Sequence, residues 1–256
     1  MPRNHIDDPL PPVHGPSIAA VALWDSSDRK RTQLFSHEER AQLSLIASIV
    51  RFKKGNQIYH QADQAGAVFN IISGVVKTYR TMPDKAEHIT AFLFADDLFG
   101  LTEEGRYVNS AKAVTAVTAY RIPIAALEAR LRKDATLEFH VICKLCHQLR
   151  ETQRHAVLLG RRNALAKVAT FIQMLEQVQA AGDESTRELN LPMSRSDIAD
   201  YVGMSLETVS RSLRTLERRR IVDFRGRHQA RILDHRQLET LAARPEGDAD
   251  DGIVGP

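Results

Sequence analysis

The stretch Leu191-Pro-Met-Ser-Arg-Ser-Asp-Ile-Ala-Asp-Tyr-Val-Gly-Met-Ser-Leu-Glu-Thr-Val-Ser-Arg211 decides how this chain is read. Ser194 and Asp197 have the spacing of a capping box, and Ile198, Ala199 and Val202 supply the apolar face of a short helix. Gly203 then ends that helix, because a residue without Cβ enters the left-handed conformation without strain. Ser205 caps a second helix whose Val209, Leu213 and Leu216 point inward. Two short helices joined by a tight glycine-containing turn form a helix-turn-helix, a shape that offers its second helix to the major groove of DNA.

The outward face of that second helix carries Glu207, Ser210, Arg211 and Arg214. An Arg donates two hydrogen bonds to guanine, a Glu accepts one from cytosine, and a small hydroxyl serves either class of base, so Glu207, Ser210 and Arg211 are the candidate base readers. Ser194, Ser196, Ser205, Thr208, Arg214, Arg218, Arg225 and Arg227 are the candidates for the DNA backbone. Between Arg211 and Arg231 there are eight arginines against Glu217 and Asp223, an excess that neutralises phosphate. Segments 221–224 and 230–233, joined by Arg225-Gly226-Arg227-His228, read as a β-hairpin with a basic tip. A solvated helix face is the plainer explanation of a charge run, but caps, turn glycine, hairpin and charge agree here in one register.

Upstream, Phe139, Ile142, Cys146, Leu149, Gln153 and Ala156 alternate at spacings of three and four, the seam of a two-stranded coiled coil. The seam predicts a dimerisation helix over 131–160; packing on the protein's own body is the alternative. Gly160 and Arg161-Arg162-Asn163 read as a hinge, followed by a helix that starts on Leu165, Val168, Ala169, Ile172 and Leu175 and ends near Gly182. Further upstream, Ser36 and Glu39 form a capping box for a helix carrying Leu43, Ile46 and Ala47. Short β-branched and aromatic runs follow at Phe52, Ile58 and Tyr59, 68–72, 75–79, 89–94 and 113–122, separated by Gly55, Gly66, Gly74, Pro83-Asp84 and Asp96-Asp97. They predict a compact antiparallel roll over 34–130, and after Pro123 the pattern turns helical and stays so for about fifty residues.

Five prolines among the first sixteen residues predict an unpacked arm over 1–33, and a Gly-rich acidic composition predicts a tail over 244–256. The winged helix-turn-helix then occupies 161–243. The chain has 256 residues, 43 % hydrophobic and 26 % charged, with net charge +3, which excludes collagen-like, disordered and disulfide-framework classes. With no run long enough for a bilayer and no signal segment, the expected location is cytoplasmic. Cys143 and Cys146 are the only cysteines, consistent with a reducing compartment.

On these residues the chain resembles the Crp/Fnr superfamily of bacterial transcription regulators over about 34–240, with Ile71-Ile72-Ser73-Gly74-Val75-Val76-Lys77 and Asp97-Leu98-Phe99-Gly100 similar to two turns of its β-roll. The resemblance implies an α+β protein: an N-terminal antiparallel, cyclic-nucleotide-binding-like jelly roll, a long dimerisation helix and a C-terminal winged helix-turn-helix. It also implies a homodimer on double-stranded DNA, probing a palindrome of TTGAT-like half-sites and activating through contact with RNA polymerase. Members reading cyclic-AMP-type operators carry Arg before the recognition Glu; Leu206 stands here, and Glu207-x-x-Ser210-Arg211 is similar to the Fnr and FixK branch. Cyclic-AMP-responsive members hold the nucleotide with a Gly-Glu and an Arg-Ser pair, whereas this chain has Gly100-Leu101 and Asn109-Ser110, leaving the phosphate without its arginine. No cysteine precedes Cys143, so the N-terminal iron-sulfur cluster of oxygen-sensing members has no ligands. A FixK-like regulator without cofactor or small effector is the implied type.

Cys143-Lys144-Leu145-Cys146-His147 matches a c-type haem attachment pattern, which needs an exported protein. His140, Cys143 and His147 share one helix stripe and present a haem- or metal-sensor alternative, with a plain polar stripe as the competing explanation. Cys143 and Cys146 are candidate redox thiols, Cys146 on the seam itself. No phosphate-binding Gly loop, nucleophile elbow or zinc helix is present, so no enzyme is expected.

Overall fold

A computed structural model describes residues 43–83, 86–179 and 188–243. The expected arm and tail, the Ser36–Glu39 capping box, Asp84 and the helix end near Gly182 lie outside the described residues. After helical residues 43–46 come eight strands, β1 Ser48–Phe52, β2 Gln57–Tyr59, β3 Ala67–Ser73, β4 Val76–Thr81, β5 Glu87–Leu93, β6 Leu98–Phe99, β7 Ser110–Ala113 and β8 Val117–Pro123. They form two antiparallel sheets, ordered β1-β8-β3-β6 and β2-β7-β4-β5. Three helices follow: α1 Ile124–Leu131, α2 Ala135–Gly160 and α3 Ala164–Gln179. The C-terminal part comprises β9 Glu188–Asn190, α4 Arg195–Val202, α5 Leu206–Arg218, β10 Val222–Phe224, β11 Gln229–Ile232 and α6 His235–Ala243. No helix among the described residues is long and apolar enough to cross a membrane.

Period-two alternation assigns the strand faces. Ala67, Phe69 and Ile71 of β3 point into the roll with Val117 and Ala119 of β8, while Val68 and Ile122 point out to Leu127, Leu137 and Val141 of the helices. Gly74, at φ +97°, turns the chain between β3 and β4, and a Cβ there would run into the Ala116 carbonyl. The outer face of the β4–β5 hairpin, with Tyr79, Ile89 and Phe92, shares one core with α3, α4, α5 and the C-terminal sheet.

Two expectations need correction. The run 113–122 is two strands, because residues 114–116 turn and the Val75 carbonyl takes the Val114 amide at 2.8 Å. Helix is not continuous after Pro123: it breaks at 132–134, and Asp134 starts α2 afresh by accepting the Leu137 amide at 3.0 Å. The expected C-terminal hairpin forms as β10–β11, and β11 pairs in addition with β9, giving the order β10-β11-β9.

Candidate nucleic-acid interface

The two helices of the deciding stretch form as their caps require. Ser194 Oγ accepts the Asp197 amide at 3.0 Å while Asp197 Oδ2 accepts the Ser194 amide at 3.0 Å, closing the capping box of α4. Gly203 sits at φ +64° and ψ +49°; a Cβ there would lie 3.0 Å from Leu159 Cδ2, so the turn also permits close approach to the end of α2. Ser205 Oγ accepts the Thr208 amide at 3.1 Å and caps α5. Val209, Leu213 and Leu216 anchor α5 from below.

That anchoring turns the opposite face outward. Glu207, Arg211 and Arg214 are exposed and Ser210 is half-buried, all on successive turns from the N-terminal end. Ser194, Ser196 and Ser205 are exposed and Thr208 half-buried; the structure brings them to the rims of the same two helices. Arg218 is exposed and donates to Thr215 Oγ1 at 3.2 Å. Beside this face, Arg195, Ser210, Leu213, Arg214, Glu217 and Phe224 line a cleft of about 190 Å³. Arg195 escaped the sequence reading. Its guanidinium lies 5.2 Å from the Phe224 ring centroid, and its place beside the α4 cap was the only available signal. At the hairpin tip, Arg225 engages Glu188 at 3.0 Å and Asp223 at 3.4 Å, leaving the exposed Arg227 as its less committed neighbour.

The long helix α2 carries two stripes. Leu137, Val141, Lys144 and Leu158 are buried against the protein's own body, with Lys144 Nζ 3.3 Å from Asp97 Oδ1, both side chains 5 % exposed. The seam residues Ile142, Cys146, Leu149, Gln153 and Ala156 are exposed and Phe139 is half-buried. The roll therefore takes a different stripe from the one the heptad spacing marks.

Among the described residues, His140, Cys143 and His147 are not gathered into a metal-holding group. Cys143 is buried on the inner side, burial and then the neighbouring Cys146 push its thiol up, and among the described residues no His, Cys, Asp and Glu cluster is arranged to hold a metal. His140 and His147 are half-buried. Cys146 is exposed.

At the end of α2, Lys167 Nζ donates to the carbonyls of Leu159 at 3.0 Å and Val202 at 3.1 Å, joining the C-terminal ends of α2 and α4. The His155 ring stacks on Tyr201 at 4.0 Å and 8°, with Nε2 donating to the Tyr201 carbonyl at 2.7 Å. Burial holds the His155 imidazole below its usual range; the carbonyl bond opposes that shift and the Lys167 charge adds to it.

Two family models match the chain: a Crp-like helix-turn-helix domain over residues 166–241 and a cyclic nucleotide-binding domain over 49–134. The nitrogen fixation regulation protein FixK of Bradyrhizobium diazoefficiens is 32 % identical over 228 residues, 89 % of this chain and 92 % of that protein. The chain is a FixK-like member of the Crp/Fnr superfamily. Such proteins are transcription regulators, not enzymes. The transcriptional activatory protein AadR of Rhodopseudomonas palustris is 30 % identical over 207 residues, 81 % of this chain and 85 % of that protein. The solved structure of FixK2 from Bradyrhizobium japonicum is 30 % identical, with a TM-score of 0.73, covering 78 % of this chain and 99 % of that one.

The roll of this Crp/Fnr member does not fit the nucleotide its domain type is named for. Tyr59 stacks on Tyr107 at 3.7 Å and Phe69 on Phe99 at 5.2 Å, filling the interior with rings. Tyr107 Oη donates to the Ala67 carbonyl at 2.8 Å, and Ser110 Oγ accepts the Gln61 amide at 2.9 Å. Asn109 Oδ1 accepts from Tyr59 at 3.5 Å, so the position expected to oppose a phosphate is an uncharged amide turned to an aromatic partner.

Proposed function

We propose that this regulator is a homodimer that reads a palindrome of TTGAT-like half-sites, with Glu207, Ser210 and Arg211 on base edges. Ser194, Ser196, Ser205, Thr208, Arg214, Arg218, Arg225 and Arg227 would track the phosphates. The observation that carries this reading is the outward face of α5, where Glu207, Arg211 and Arg214 are exposed while the opposite face is locked into the core. An anchored helix presenting these groups from its first turns has the chemistry to read G·C pairs. Dimerisation rests on the uncovered seam of α2, whose Ile142 and Leu149 are 50 % and 59 % exposed. The divisions 34–130, 131–160 and 161–243 follow as sensor-type roll, dimerisation helix and reading domain, with the helix beginning at its Asp134 cap. Activation through RNA polymerase is supported by relatives described as activators. The ring-filled roll supports operation without a cyclic nucleotide.

The test is a gel shift of purified, reduced, ligand-free protein on a TTGAT palindrome and on a scrambled duplex at one salt concentration. Preference for the palindrome is the expected result; equal binding to both duplexes refutes the proposal.

A further inference from the structure

Among the described residues, the roll meets the reading domain through an apolar contact and a polar one beside it. The apolar contact centres on Tyr201 of α4, whose ring lies 5.2 Å from Phe92 of β5 and 5.8 Å from Phe171 of α3. The polar contact is Lys77 of β4, with Nζ 2.7 Å from Asp197 Oδ1 and 3.5 Å from Glu87 Oε2. The side chains of Lys77 and Asp197 are 13 % and 18 % exposed, and the two residues are 120 positions apart.

Asp197 is the capping carboxylate of α4. Its Oδ2 takes the Ser194 amide and, at 2.8 Å, the Ser194 hydroxyl, while Oδ1 takes the ammonium of the roll. The group that caps the first helix of the helix-turn-helix is thus divided between that helix and another part of the molecule. The Phe92 contact is non-directional and tolerates rotation of one ring over another. A shielded, charge-assisted hydrogen bond is directional and selects one pose. The selected pose leaves Glu207, Arg211 and Arg214 exposed, so it is compatible with DNA.

We propose that Lys77 is a positioning residue for operator reading: by gripping Asp197 from the roll, it fixes the angle at which α5 is presented and hence the separation of the two reading helices in a dimer. The inference rests on the reading of α5 as the operator helix of a homodimer. Palindrome recognition requires two helices to match half-sites about one helical turn apart, whereas a single half-site makes no such demand. Lys77 therefore acts on the linkage between heads and not on the chemistry of either one.

The experiment compares full-length wild type, Lys77→Met and Lys77→Arg on four duplexes: the palindrome, the palindrome with one inserted central base pair, a single half-site and a scrambled control. Methionine keeps the apolar stem and leaves the Ser194–Asp197 box intact. Lys77→Met is expected to bind the half-site like wild type, to lose about tenfold on the palindrome as linkage of the two heads weakens, and to be less sensitive to the insertion. Lys77→Arg is expected to restore wild-type behaviour. Lys77→Gln, which keeps a donor without the charge, replaces the methionine variant if that protein melts early, and the same shift in spacing preference is expected. An unchanged spacing profile and palindrome affinity overturns the proposal. Equal losses on palindrome and half-site overturn it too, since that is the mark of general damage. A wild type that does not distinguish the palindrome from the scrambled duplex overturns the operator reading, and this inference with it.

Discussion

Arg211 and Arg214 stand three residues apart on one exposed face, and the proposed reading gives them two different kinds of contact. Removing a bidentate base contact costs about 1–3 kcal/mol of discrimination, so Arg211→Ala should weaken operator binding about ten- to a hundredfold while scarcely changing binding to scrambled DNA. Arg214→Ala should weaken both and lower the slope of log affinity against log salt by about 0.9, the share of one phosphate. Gel shifts at several salt concentrations measure both effects. Arg220 carries a different burden. It follows α5 at φ +55°, where its amide donates to the Glu217 carbonyl at 2.9 Å, a position that suits glycine. Arg220→Gly should stabilise the fold by about 0.5–1 kcal/mol in chemical denaturation, because the left-handed cost of a Cβ exceeds the added freedom of the unfolded chain. Gly203 was readable as a turn from its setting, whereas nothing in a run of three arginines marks one as left-handed.

The helix α2 shows what an element can reveal and conceal. Its outer stripe was legible from the three-and-four spacing alone, and the structure leaves that stripe uncovered. Leu149→Glu should therefore shift the purified protein to a monomer in sedimentation and weaken palindrome binding, with little change in melting temperature, since Leu149 is 59 % exposed in the protomer. A disulfide-forming oxidant should yield a crosslinked dimer on non-reducing gels that Cys146→Ser abolishes and Cys143→Ser spares, because only Cys146 is exposed. The inner stripe was harder to read. Lys144 looks like a surface residue until its distant partner Asp97 is known, and the Lys77–Asp197 pair is hidden for the same reason. Strands β9 and β6 have only three and two residues, too few for any period to emerge. Helix α6 begins with His235-Arg-Gln, a polar opening without a strong apolar pattern, and is fixed by Leu238 and Leu241 packing on the reading-domain core.

Across the whole molecule, the roll, α2 and the reading domain converge on Tyr201. Phe92 and Phe171 approach it, and the neutral His155 ring stacks upon it. A histidine held below its usual range takes up its proton more readily when unfolded, so the native state loses stability as pH falls below about 6.5 and regains it above. Melts at pH 7.5 and 5.5 should show a drop that His155→Gln reduces, since glutamine keeps a donor for the Tyr201 carbonyl without titrating. This convergence was not legible beforehand, because Phe92, His155, Phe171 and Tyr201 lie on four separate elements of the chain.

Lys167 provides a way to watch the hinge directly. Its side chain is buried and its nitrogen is committed to the carbonyls of Leu159 and Val202. Burial lowers the proton affinity of that amine only while it is enclosed; once released into water it is an exposed lysine amine open to acylation. An acylating reagent in solution reaches it only while both carbonyls have let go. The pace at which mass spectrometry finds Lys167 acylated thus counts openings between the long helix and the reading domain. Operator DNA that holds the two heads in place should slow that clock, turning one structural lysine into a built-in reporter of the molecule's working motion.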